Sequence, residues 1–240
     1  MSDTANPPTL ASAPLVGPGE FDDRLKRTDE DRWLATRYAD VAGRELLVAI
    51  YLLNQELQRT LHTKEPMLGK IRLQWWRETL EQVGGAGALR RHDLAEELAR
   101  VTKGRGDLMA PLAALVDAFD DILDDHLQAG GHQPGGEHEA RHLAVEGRLV
   151  RLAGLALMTD APEPELEAMA RVAEAALAMR AELPDADARW DGARRRARAV
   201  PSAMWPALLH LAARPDGKGR EPSPFAKRCR MFSAALWRKL

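Results

Sequence analysis

The chain has 240 residues, of which 45% are hydrophobic and 29% charged, and its formal net charge is −2. That balance argues against nucleic acid, which calls for a basic domain, and a single cysteine, Cys229, excludes an internal disulfide and a zinc knuckle and fits a reducing compartment. No run approaches the ~20 apolar residues of a membrane span, and the start lacks the basic flank and apolar core of a signal peptide, so the expectation is a soluble, cytoplasmic protein.

In chain order, residues 1–20, rich in Pro, Ser, Gly and Ala, read as a disordered tail, and residues 21–240 as one helical domain. Thr28 or Asp29 can cap a first short helix through Tyr38, and Asp40 can cap the next. From Leu46 to Leu53 that next helix is apolar almost without a break, which suits a helix buried on every side. Its later part carries a polar column, Tyr51, Asn54 and Gln58, read either as a cavity wall or as groups satisfying one another in the core.

After Pro66 a second helix places Leu68, Ile71, Leu73, Trp75, Trp76, Leu80 and Val83 on a broad apolar arc. Arg72 falls inside that arc, where a lone charge is costly without a partner. It is therefore expected to point inward, toward a carboxylate such as Glu56 or Glu45 or toward a ligand. Residues 92–103 make a modest amphipathic helix. A long helix over 108–128 has the core stripe Leu112, Leu115, Val116, Phe119, Ile122 and Leu123. The next, over 138–158, carries Gly147 and Gly154 where another backbone or a ligand can come close. A helix to about Leu183 follows, then a basic stretch over 189–198 and two short apolar segments. Nothing alternates with period two long enough to be a strand, so the fold class is all-α, with eight to ten helices.

The segments Asp31-Arg32-Trp33-Leu34-Ala35, Ala49-Ile50-Tyr51-Leu52-Leu53-Asn54 and Leu68-Gly69-Lys70-Ile71-Arg72-Leu73-Gln74-Trp75-Trp76-Arg77-Glu78 resemble the squalene/phytoene synthase family. The likeness weakens after Gln128. It implies an isoprenoid-synthase-like helical bundle around a central buried helix. Those enzymes join two prenyl diphosphates head to head, using Mg²⁺ held by two aspartate-rich motifs. In register with the first motif this chain has Gln58, Arg59, Thr60, Leu61 and His62. The second matches only through Arg180 and Asp185. The resemblance thus implies the fold and argues against the chemistry.

The reading is a non-catalytic member of the family, a pseudoenzyme that binds a partner protein or a prenyl lipid and expects no cofactor. Tyr51, Asn54, Gln58, Arg72 and Arg180 are its candidate ligand-binding residues. A degenerate assembly factor of respiratory complex I in the same superfamily offers an analogy. The rival reading is an active, Mg²⁺-dependent prenyltransferase with displaced acids. Asp120, Asp121 and Asp124 spell its acidic motif on another helix, on what otherwise reads as a solvated face. The pair His138/His142 is set aside as a metal site. The basic terminal helix, with Phe225, Phe232 and Trp237, is read as packed, with peripheral contact to an anionic membrane as the alternative.

Overall fold

The computed structural model describes residues 17–63, 65–129, 136–213 and 221–240. Among them it has ten α-helices, four short 3-10 segments and no strand. The chain opens with α1 (Pro18–Thr28) and α2 (Glu30–Thr36), then runs through α3 (Val41–Leu61) and α4 (Pro66–Val83). Next come α5 (Asp93–Val101), α6 (Met109–Ala129), α7 (Gly136–Leu157) and α8 (Glu163–Arg180). It closes with α9 (Ala186–Arg196), the 3-10 segments Ser202–Ala207 and Leu209–Ala213, and α10 (Pro224–Trp237). Among the described residues no helix is long and apolar enough to cross a membrane.

The central helix is α3. The Asp40 carboxylate accepts from the Gly43 N–H at 2.7 Å and starts it. Every residue from Leu46 to Asn54 is buried, because α1, α2, α4, α5, α6 and α7 all pack on it. Each leucine or isoleucine there contributes about 1.5–3 kcal/mol of transfer free energy, so the apolar run accounts for the helix's position. The all-α bundle with a buried central helix is the architecture the sequence implies.

Three local expectations are corrected. The helical part, read as residues 21–240, takes in three residues more at its start: α1 begins at Pro18, with proline in the first turn. The first short helix ends at Thr36, capped by Asp29, whose carboxylate accepts from the Arg32 N–H. Residues 189–198 include most of α9, because Trp190 and Ala193 bury one side of an otherwise basic segment. Residues 1–16 of the expected tail and residues 130–135 of the glycine-rich connection lie outside the described residues.

The fourth correction concerns α4. Its buried stripe is Gly69, Leu73, Trp76 and Leu80, while Leu68 and Ile71 are exposed. Arg72 is exposed as well. The inward position expected for it does not occur, because charge and backbone contact set the rotation of the helix. Lys70 reaches Asp120 and Asp124 of α6 at 2.6 Å each, and Arg77 reaches Asp117 and Asp120 at 2.8 and 2.7 Å. Between α6 and the end of α3, a Cβ at Gly69 would lie 2.7 Å from Leu123 and 2.8 Å from the Thr60 carbonyl oxygen. Glycines serve the α7–α8 contact in the same way. A Cβ at Gly154 would meet the Met169 sulfur at 2.8 Å.

Gly69→Ala therefore sets helix propensity against a backbone clash. The propensity gain is at most about 1 kcal/mol, and overpacking against a carbonyl costs about 1–3 kcal/mol. Urea unfolding should show net destabilisation, with α4 displaced rather than unfolded.

Candidate functional site

Beyond Leu57 the central helix reaches the surface. There Glu56, Arg59 and Thr60 face Arg72, Trp75 and Trp76 of α4, and His92 just ahead of α5, across a cleft of about 240 Å³. The wall is aromatic: Trp75 and Trp76 meet edge to face at 4.9 Å, and His92 packs on them at 5.1 and 5.4 Å. The Arg90 guanidinium lies 5.6 Å over Trp75. Thr60 turns its hydroxyl back to the Leu57 carbonyl at 2.6 Å. Glu56 accepts from Arg24 and, at 2.7 Å, from Arg59, so its charge is already shared. Arg72 is exposed at the rim and makes no ion pair among the described residues. Two guanidiniums against one neutralised carboxylate leave the cleft cationic.

The squalene/phytoene synthase family model matches residues 25–129. That stretch is squalene/phytoene-synthase-like. No curated protein and no solved structure matches the chain. The match ends at Ala129, where α6 ends. The family implies Mg²⁺, and the residues at the end of the central helix do not fit it. A hard cation wants carboxylate oxygens, and residues 58–62 supply an amide, a guanidinium, a hydroxyl, an apolar side chain and an imidazole.

The acidic face of α6 is built differently from a metal site. Asp120 is held by Lys70 and Arg77, and Asp124 by Lys70. Asp125 is held by Arg141 at 2.8 Å, with Asp121 3.9 Å from the same guanidinium. Burial pushes the Asp120 carboxyl up, but Lys70 and Arg77 outweigh it and hold the group below the usual range. A divalent ion at Asp120, Asp121 and Asp124 would have to displace three basic side chains.

The five candidate ligand residues do not share one site. Gln58 is exposed. Arg180 is exposed at the end of α8, whose main neighbours are α7 and α9 rather than the cleft. Tyr51 and Asn54 are buried in the core, one and two per cent exposed. They do not satisfy each other: the Tyr51 hydroxyl and the Asn54 carbonyl oxygen have no hydrogen-bond partner among the described residues.

What surrounds Tyr51 is a polar network that the sequence reading missed. From α2, Arg32 donates to Glu146 of α7 at 2.5 Å and to Asp29 at 2.9 Å. Its guanidinium lies 5.5 Å over the Tyr51 ring. His210, in the 3-10 segment Leu209–Ala213, places Nε2 3.5 Å from Glu146 and its ring 6.4 Å from that of Tyr51. Arg32 and Glu146 are each 15% exposed. A signal for this was present, since Glu146 stands alone between Leu143 and Val150 on an apolar stripe, just as Arg72 seemed to on its own.

Burial alone would raise the Glu146 pKa, but Arg32 and then His210 reverse that and bring it to about 2. Burial lowers the pKa of His210, which Glu146 only partly offsets. Both folded-state values lie below the ordinary ones, 4.5 and 6.5. The unfolded chain thus takes up protons first, and stability present at neutral pH is lost as pH falls. The loss should begin near pH 6.5 through His210 and steepen from about 4.5 toward 2 through Glu146. Urea midpoints measured across that range should fall, with a shallower fall in Glu146→Gln below pH 4.5. At pH 7.5, Glu146→Ala should cost about 3–5 kcal/mol by stranding Arg32.

Proposed function

We propose that the protein is a non-catalytic member of the squalene/phytoene synthase group, binding the phosphate head of a prenyl-phosphate-class ligand without turning it over. One observation carries this reading. Where an acidic, Mg²⁺-binding turn would serve the chemistry, the central helix ends in a cationic cleft with Arg59 and Arg72. Head-to-head coupling needs a leaving diphosphate neutralised while an allylic cation forms. Arginines can hold the phosphate bidentately, but they repel a developing cation. Size points the same way. Ligand pockets commonly enclose about 300–1,000 Å³, and a cleft of about 240 Å³ has room for a headgroup rather than a chain.

The terminal helix supports work at a membrane surface. Met231 and Ala234 bury one side of α10, while Phe225, Phe232, Leu236 and Trp237 are 61–77% exposed. Phe225, Cys229, Phe232 and Leu236 fall on one exposed stripe at helical spacing, flanked by Arg228, Arg238 and Lys239. Aromatic side chains beside basic ones suit the interface of an anionic bilayer.

The test is to incubate purified protein with farnesyl or geranylgeranyl diphosphate and Mg²⁺, assaying pyrophosphate and hydrocarbon, and to titrate inorganic pyrophosphate by calorimetry without metal. No product should form, and pyrophosphate should bind. Arg72→Ala should weaken that binding by about tenfold, as for one charge-assisted contact, yet change stability by less than about 0.5 kcal/mol, as for an exposed side chain. Turnover abolished by Asp120→Asn would overturn the reading and move the chemistry to α6. Equal pyrophosphate affinity in Arg59→Ala/Arg72→Ala would remove the cleft from it. Co-sedimentation with phosphatidylglycerol vesicles, lost in Phe232→Asp, checks the membrane face.

A further inference from the structure

Three imidazoles converge between the end of α6 and the start of α7. His126 Nε2 lies 3.2 Å from His138 Nε2, and His142 Nε2 lies 3.0 Å from that same atom. The three nitrogens all fall within 4.8 Å of one another. Spacing of i, i+4 puts His138 and His142 on one face of α7, and α6, packed along α7, brings His126 to them. The rings also touch, with centroids 4.6 Å apart in both pairs.

Hydrogen bonding alone leaves this arrangement poorly satisfied. A neutral imidazole nitrogen is either a donor or a single-lone-pair acceptor. His138 Nε2 faces two other Nε2 atoms, and it can make a good hydrogen bond with only one of them. Protonating the rings instead sets like charges about 3 Å apart. A cation at the meeting point accepts all three lone pairs. With metal–nitrogen bonds of about 2.0–2.1 Å, a tetrahedral centre separates its ligand nitrogens by about 3.3 Å. Two of the edges here are already close to that, and a modest ring rotation closes the third.

We propose that His126, His138 and His142 form a binding site for one divalent cation of the Zn²⁺ class, with a fourth position open to water. Imidazole donors select such borderline ions over Mg²⁺ or Ca²⁺. Behind the ligand atom, the Asp125 carboxylate lies 3.7 Å from His138 Nδ1 and is steadied by Arg141. The two make no hydrogen bond as they stand, and closing that gap on metal binding would let the carboxylate orient the ring and raise its basicity. The ion would clasp α6 to α7 across the end of α6, and it does not depend on the ligand proposed for the cleft.

The experiment uses tag-free, full-length protein stripped with a chelator, then titrated with ZnCl₂ by calorimetry and followed by thermal melting. The expected result is one ion per chain at micromolar affinity or tighter, a melting temperature raised by several degrees, and no competition from millimolar Mg²⁺. His126→Gln and His138→Gln should each abolish this binding while keeping the circular dichroism of the metal-free protein, and Asp125→Asn should weaken it about tenfold. Co²⁺ in place of Zn²⁺ should give the visible absorption of a tetrahedral, nitrogen-ligated centre, a readout that needs no variant to fold. Absence of stoichiometric binding, or affinity unchanged in His138→Gln, would overturn the site.

Discussion

The contact between Arg32 and Glu146 is the constraint on which the arrangement of the bundle depends. Two charges largely withdrawn from water are tolerable only together, and here the pairing is incomplete, because Arg32 Nε has no hydrogen-bond partner among the described residues. Asp29 takes part of the guanidinium, Tyr51 offers its ring, and His210 approaches the carboxylate. Those residues come from α2, the central helix, α7 and a 3-10 segment late in the chain, so one ion pair fixes four segments against one another. The terminal helix is tied to the same place, because Lys227 meets Asp31 at 2.9 Å beside Arg32.

Much of the fold was legible in the sequence, and the reason is periodicity. The unbroken apolar run of α3 and the stripe of α6 are strong signals for burial, and their core residues are buried. The helix α4 was legible as a helix but not in its rotation. Apolar residues alone define too broad an arc there, and the choice within it was made by Lys70 and Arg77 meeting acids some forty to fifty residues away. The exposed Leu68, Ile71 and Arg72 follow from that choice. In α9 a buried Trp190 and Ala193 were too few to stand out from the surrounding arginines.

The site was less legible, because each of its parts is made by partners distant in sequence. Arg59 at the end of the central helix could be read as the wrong charge for Mg²⁺ from the resemblance alone. That Arg24 would come to share Glu56 with it could not. The polar column Tyr51, Asn54 and Gln58 looked continuous on a helical wheel, yet the helix passes from core to surface between Asn54 and Gln58. The histidine pair on α7 showed no third ligand at a local spacing, since His126 precedes it on a different helix.

Five aspartates crowd nine residues of α6, from Asp117 to Asp125. Taken alone, such a helix repels itself along i, i+3 and i, i+4. Its charges are balanced from outside, by Lys70 and Arg77 on one flank and by Arg141 of α7 on the other. Arg141, like Glu146, lies beyond residue 129, where the family likeness stops. A chain cut after Ala129 would leave Asp121 and Asp125 without their guanidinium and Arg32 without its carboxylate. The stretch that the family model matches thus has part of its electrostatics completed by residues outside the match.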